Sequence, residues 1–68
     1  MRVKFNKQVT VDFLGNQEEH GNDKTFYHNQ IVEVERMEET VRGFVDLIFE
    51  NGDAAIGINK QSIQIIEA

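Results

Sequence analysis

The sequence predicts an all-β domain, five short antiparallel strands curled into one small barrel. Three observations predict it. Apolar side chains recur at every second residue near both ends and in the middle of the chain, the period of a strand with one face turned inward. Asn51-Gly52 stands between two apolar runs, and this dipeptide favours a tight hairpin turn. Proline is absent throughout, so no strand is demoted by a missing backbone donor.

The first strand holds Val3, Phe5, Val9, Val11 and Phe13, with Lys4, Gln8, Thr10 and Asp12 between them. Asn6-Lys7-Gln8 interrupts the apolar series, which leaves two readings: one bent strand, or two short strands joined by a tight turn. Residues 15–25 contain two glycines and two asparagines and no large apolar side chain, the composition of a surface loop. A second strand is expected from Phe26 to about Met37, with Val32 and Val34 inward and Ile31 on the other face. Glu35 to Thr40 has helix-forming composition over about one turn, too short to nucleate alone, and reads as a connection with an extended hairpin end.

Phe44 to Glu50 and Asp53 to Ile58 form the two arms of the predicted hairpin. Asn-Gly accepts positive φ at both central positions of a type I′ turn. Val45, Leu47 and Phe49 point inward on one arm, Ala54, Ile56 and Ile58 on the other, and Gly57 marks a bulge or a close backbone approach. Asn59 to Ser62 is a polar break with room for a 3₁₀ turn. The last strand, Ile63 to Ile66, turns Ile63 and Ile65 inward.

Sixty-eight residues support a single domain, residues 1–68, with one core and about 60% of the unfolded surface buried. There is no cysteine, so neither a disulfide framework nor a thiolate zinc site supports it. Packing alone is expected to supply a stability of roughly 3–5 kcal/mol. Seven basic against twelve acidic side chains give a net charge of −5, which opposes attraction to phosphate backbones and anionic lipid. No apolar run approaches the roughly 20 residues of a membrane span. Met1 leads into Arg2-Val3-Lys4-Phe5 without the basic and apolar regions of a secretion signal, and a cytoplasmic location is expected.

Tyr27 to Val34, Gly43 to Asp53 and Ile58 to Ile66, taken in order, resemble the Src-homology-3-like small barrels: a long polar loop after the first strand, a tight hairpin between the third and fourth, and a helical turn before the last. The resemblance spans nearly the whole chain at the level of strand order, and no single motif carries it. Barrels of the oligonucleotide-binding type and a simple antiparallel meander remain alternatives. Peptide-binding members of the family accept a polyproline II helix in an aromatic groove. Here tryptophan is absent, and Val11-Asp12-Phe13-Leu14 stands where a tyrosine pair is expected, so a proline-rich ligand is not expected. A free-standing, acidic, cysteine-free barrel of this length also resembles the small accessory proteins with which bacteriophages bind host factors.

Candidate sites follow from the side chains that such a barrel leaves outside. Phe44, Ile48, Ile31, Leu14 and Ile66 fall opposite the predicted core, and if exposed together they mark an interface. Glu33, Glu35, Glu38 and Glu39 place four acids within seven residues, a feature that can steer a basic partner. With Tyr27, the residues expected to contact a partner are Phe44, Ile48, Glu33, Glu35, Glu38 and Glu39. His20 near Glu18, Glu19 and Asp23 matches no metal-ligand spacing, and His28 has no nucleophile beside it. No catalytic triad can be assembled, and no cofactor or metal is expected.

The leading expectation is a non-enzymatic protein-binding module that recognises a protein partner, with a homo-oligomer as a further possibility and no membrane partner. Two alternatives belong to other classes: a nucleic-acid-binding barrel using Arg2, Lys4 and Lys7, and an acidic inhibitor whose carboxylates imitate nucleic-acid phosphates.

Overall fold

In the computed structural model, which describes residues 1–15 and 21–68, the chain is all-β, with eight strands in two antiparallel sheets. The strands are β1 (Arg2–Phe5), β2 (Val9–Leu14), β3 (Asn22–Phe26), β4 (Ile31–Glu33), β5 (Arg36–Val41), β6 (Phe44–Ile48), β7 (Ala54–Asn59) and β8 (Ile63–Glu67). A 3₁₀ turn, Lys60–Ser62, precedes β8 as the sequence predicted. One sheet has the order β4-β1-β8 and the other β3-β2-β7-β6-β5. The expected single curled sheet of five strands is therefore replaced by two sheets facing each other, not closed into a barrel.

Each departure has a local cause. Asn6-Lys7-Gln8 is a bend between two strands, and it transfers the chain from the small sheet to the large one: Asn6 N–H donates to Ser62 O (2.7 Å), while β2 pairs with β3 and β7. The polar loop read over residues 15–25 contains β3, a strand whose composition hid it. It is an edge strand, paired only with β2, and polar side chains on an edge discourage further pairing. Residues 16–20 of that expected loop lie outside the described residues.

The strand predicted from Phe26 to Met37 is interrupted by a turn at Tyr27–Gln30, closed by Gln30 N–H to Tyr27 O (2.9 Å), with Asn29 at φ 69°. Asn tolerates the left-handed position that this turn needs after His28. The supposed connection Glu35–Thr40 is mostly strand β5, held along β6 from Arg36↔Ile48 to Val41↔Phe44. Between β4 and β5 the chain bends at Val34-Glu35. Val34 exchanges backbone hydrogen bonds with Met1 (2.8 and 3.1 Å) on the small sheet, and Glu35 N–H donates to Ile48 O (2.8 Å) on the large one. A nearly continuous segment thus serves both sheets, and buried Val34 sits at the corner.

The β6–β7 hairpin forms as predicted, but its turn is not type I′. Gly52 N–H donates to Phe49 O (2.9 Å) and Phe49 N–H to Asp53 O (2.8 Å), which encloses a three-residue loop of Glu50, Asn51 and Gly52. Gly52 takes φ 90° while Asn51 stays at negative φ, the pattern of a tight turn followed by one left-handed residue. The expected bulge is present at Gly57 (φ 72°). Val45 opposes Ile58 and Leu47 opposes Ala55, so Asp46 faces both Ile56 and Gly57. The extra residue shifts the alternation, and Ala55 rather than Ile56 enters the core.

The core lies between the sheets and consists of Val3, Phe5, Phe26, Val34, Val45, Leu47, Ala55 and Ile58. Phe5 and Phe26 stack at 4.5 Å between ring centroids. Val9, Val11, Phe13, Phe49 and Ile63 pack against it from the side. Ile65 stands opposite Val3, yet it is 46% exposed, because β8 is the edge of its sheet and Ile65 opens onto a recess shared with Met37 and Lys60.

Candidate functional site

The registers of the large sheet decide what its outer surface carries, because directly opposed residues share a face. Val45, Leu47 and Ala55 turn inward, so Phe44, Asp46 and Ile48 turn outward, as do Thr10, Asp12 and Leu14 on β2, whose burial alternates in step. Across the strands these outward residues form rows. Leu14, Ala54, Ile48 and Arg36 make one row over β2, β7, β6 and β5. Asp23, Asp12, Ile56, Asp46 and Glu38 make the next, spanning all five strands. Val41 and Phe44, 62% and 42% exposed, make a third at the β5–β6 turn.

The apolar row is continuous. Ala54 is buried, at 9% exposure, and stands directly between Leu14 and Ile48 in the strand registers. A shallow depression of about 420 Å³ opens beside Leu14, lined by Asp12, Leu14 and Ile56 among others. The acidic row carries four carboxylates against the single guanidinium of Arg36 in the neighbouring row. Asp12 stands directly opposite Asp23, and Asp46 opposite Glu38, placements that cost stability when charges are alike. Two contacts relieve the second pair: Gly57 N–H donates to Asp46 Oδ1 (2.9 Å), and Arg36 Nε donates to Glu38 Oε1 (2.9 Å). The Glu38 hydrogen bond holds the Arg36 guanidinium still more firmly in its charged form.

Of the residues expected to contact a partner, Ile48, Phe44 and Glu38 meet on this face. Glu35 adjoins them only through Arg36, which also holds Glu38, and the others do not join them. Tyr27, 58% exposed, sits on the β3–β4 turn. Glu33 is on β4, its carboxylate 3.8 Å from Arg2 Nε, and Glu35 lies at the bend between the sheets, 3.4 Å from Arg36. The bend at Val34-Glu35 leaves Glu33 on the small sheet, and the alternation of β5 turns Glu39, opposite inward Val45, away from Glu38, opposite outward Asp46.

Glu39 serves the fold itself. Its Oε2 accepts from Gly43 N–H (2.9 Å), its Oε1 lies 3.3 Å from Lys60 Nζ, and Lys60 N–H donates to Gly43 O (3.0 Å). This clamp ties the β5–β6 turn to the 3₁₀ turn. The Gly43 N–H, followed by Lys60, holds the Glu39 carboxyl below the usual carboxylate range.

Asp12, Asp23, Asp46 and Ile56 are residues of the face that sequence reasoning did not single out. Outward alternation was visible for Asp12 and Asp46, but their alignment into one row depends on registers no local signal encodes. Gly57 was the one available hint, since its bulge brings Ile56 to the outer side of Asp46. The loop group of His20, Glu18 and Glu19 lies outside the described residues, and among the described residues no three His, Cys, Asp or Glu side chains are placed to hold a metal ion. Nor is any helix of the described residues long and apolar enough to cross a membrane.

Compared with known proteins, the chain matches no family model, no curated protein and no solved structure.

Proposed function

We propose that the chain is a non-catalytic protein-binding module that docks a basic partner surface on the outer face of its five-stranded sheet. The observation that carries this reading is the apolar row Leu14, Ala54 and Ile48 running beside the acidic row Asp12, Asp46 and Glu38. An apolar strip gives a partner area to bury, and flanking carboxylates fix its orientation and raise its association rate. The partner complementary to this face presents apolar side chains bordered by lysines or arginines.

A Src-homology-3-like arrangement accords with this reading: the segment bent at Val34-Glu35 and shared by both sheets, the tight β6–β7 hairpin and the 3₁₀ turn before β8 are the features that favour it. The fold alone does not choose a partner. An accessory protein of the bacteriophage type, acting on a host factor in the cytoplasm, is one setting for such a module. The nucleic-acid-binding alternative has less support, because Arg2 already faces Glu33. The phosphate-imitating alternative has less support because its acids already have basic neighbours: Glu33 faces Arg2, Glu35 and Glu38 share Arg36, and Glu39 faces Lys60.

The test compares capture of partners by the native chain with capture by Ile48→Arg and Leu14→Arg, using Gln64→Arg on the small sheet as the charge-matched control. The reading expects a basic protein retained by the native chain and by Gln64→Arg, released as salt rises, and lost from both face variants. Retention by all four chains would reject the face as the docking surface.

A further inference from the structure

A second recess lies on the opposite side of the large sheet, bordered by β2, β3, β4 and the β6–β7 loop. It is a cleft of about 370 Å³ whose lining includes Phe13, Lys24, Phe26, Phe49, Glu33 and Glu50. Phe13 and Phe49 meet at 5.8 Å between centroids with planes 53° apart, which forms an aromatic corner. Into it reaches the chain's own ammonium: Lys24 Nζ stands 4.6 Å from the Phe13 centroid and 5.7 Å from that of Phe26. No ion pair among the described residues involves Lys24.

A lysine ammonium ordinarily remains in water or against a carboxylate. Here it lies over ring faces, whose quadrupoles attract cations, while the rim carries the carboxylates of Glu50 and Asp53 besides that of Glu33, which also faces Arg2 and the amino terminus. The volume falls within the range of small-ligand sites. The geometry points to an organic-cation site, one that takes an alkylammonium group against Phe13 and Phe49, with Lys24 as an internal occupant that an incoming cation displaces. The carboxylates at the rim exclude anions, and the ring faces select a cation with an apolar shell over a bare metal ion. This site is separate from the outer face and does not depend on the docking reading.

Choline and its neutral carbon isostere, 3,3-dimethylbutan-1-ol, test the assignment, because they share a shape and differ in charge. Each is titrated into the native chain, Lys24→Ala and Phe13→Leu, with aromatic and methyl resonances followed by NMR. Saturable shifts at Phe13 and Phe49 are expected with choline, at least about fivefold tighter than with the alcohol, as a face-on cation–π contact implies. Lys24→Ala, freed of the competing ammonium, binds choline more tightly than the native chain, and Phe13→Leu more weakly. The Phe5 and Leu47 resonances report that each variant remains folded. Equal affinity for choline and the alcohol, no gain in Lys24→Ala, or shifts spread over the surface would each overturn the proposal. An Ile48→Arg chain keeps its choline binding, so failure of the outer-face reading leaves a distinct result.

Discussion

The two faces of the five-stranded sheet are made from the same strands in the same registers, yet they carry opposite chemistry. The centre of the inner face is apolar, with Val45, Leu47, Ala55 and Ile58 at or near zero exposure, and polar side chains such as Lys24 and Glu39 stand only at its margins. The outer face alternates by row, apolar through Leu14, Ala54 and Ile48, then acidic through Asp23, Asp12, Asp46 and Glu38. Folding explains the first arrangement completely, since burial of the inner row drives it. It does not explain the second. Carboxylates placed opposite one another weaken a sheet, and a row of aliphatic side chains beside them gains nothing from water. A face that costs stability and offers apolar area is what a binding surface requires.

The largest effect separating the faces belongs to Leu47 and Ile48, neighbours on β6. Leu47→Ala should lower stability by about 2–5 kcal/mol, the range for a fully buried leucine, and Ile48→Ala by clearly less. Urea titrations with an unchanged slope check the difference; equal losses would erase the distinction between inner and outer face. Gly57→Ala comes next. A Cβ there meets nothing within 4 Å, so its cost is backbone strain alone, about 1–2 kcal/mol for a left-handed non-glycine residue. A neutral result would mean that the bulge, and with it the outward turn of Ile56, relaxes freely.

Smaller still, and opposite in sign, Asp12→Asn should stabilise the chain by about 0.2–1 kcal/mol through relief of the Asp12–Asp23 opposition. The gain should shrink as salt rises, and thermal melts at low and high ionic strength measure it. The smallest effect belongs to Glu39. Its carboxyl sits below the ordinary value of 4.5, so its stabilising contribution is present above that value and is lost as pH falls through the lower folded one. Melting temperatures between neutral pH and pH 3 should therefore decline less for Glu39→Gln than for the native chain. Parallel declines would remove the clamp from the account.

The inner face could be read from the sequence because period two is a local signal: Val3, Phe5, Val34, Val45 and Leu47 are all buried as the alternation requires. The hairpin at Asn51-Gly52 and the 3₁₀ turn were legible for the same reason, each carried by a few adjacent residues. The outer face was legible only in pieces. Ile48, Phe44, Leu14 and Glu38 were recognisable as outward, but their neighbours were not, since register is a property of pairs of strands. β3 was hidden by its polar composition, and without it Asp23 has no place opposite Asp12. The bulge at Gly57 exchanged Ala55 for Ile56. The bend at Val34-Glu35 set Glu33 apart and strand alternation turned Glu39 to the other face, leaving Glu35 and Glu38 together on Arg36, which explains why the densest charge feature of the chain contributes only in part to its candidate site.

The continuous apolar row across β2, β7 and β6 is tested most directly by methyl–methyl NOEs in a chain with labelled Leu, Val, Ala and Ile methyl groups. The account predicts cross-peaks linking Leu14 to Ala54 and Ala54 to Ile48, with none from Leu14 to Val45 or Leu47. Leu14 methyls in contact with Val45 or Leu47, and silent toward Ala54, would contradict it.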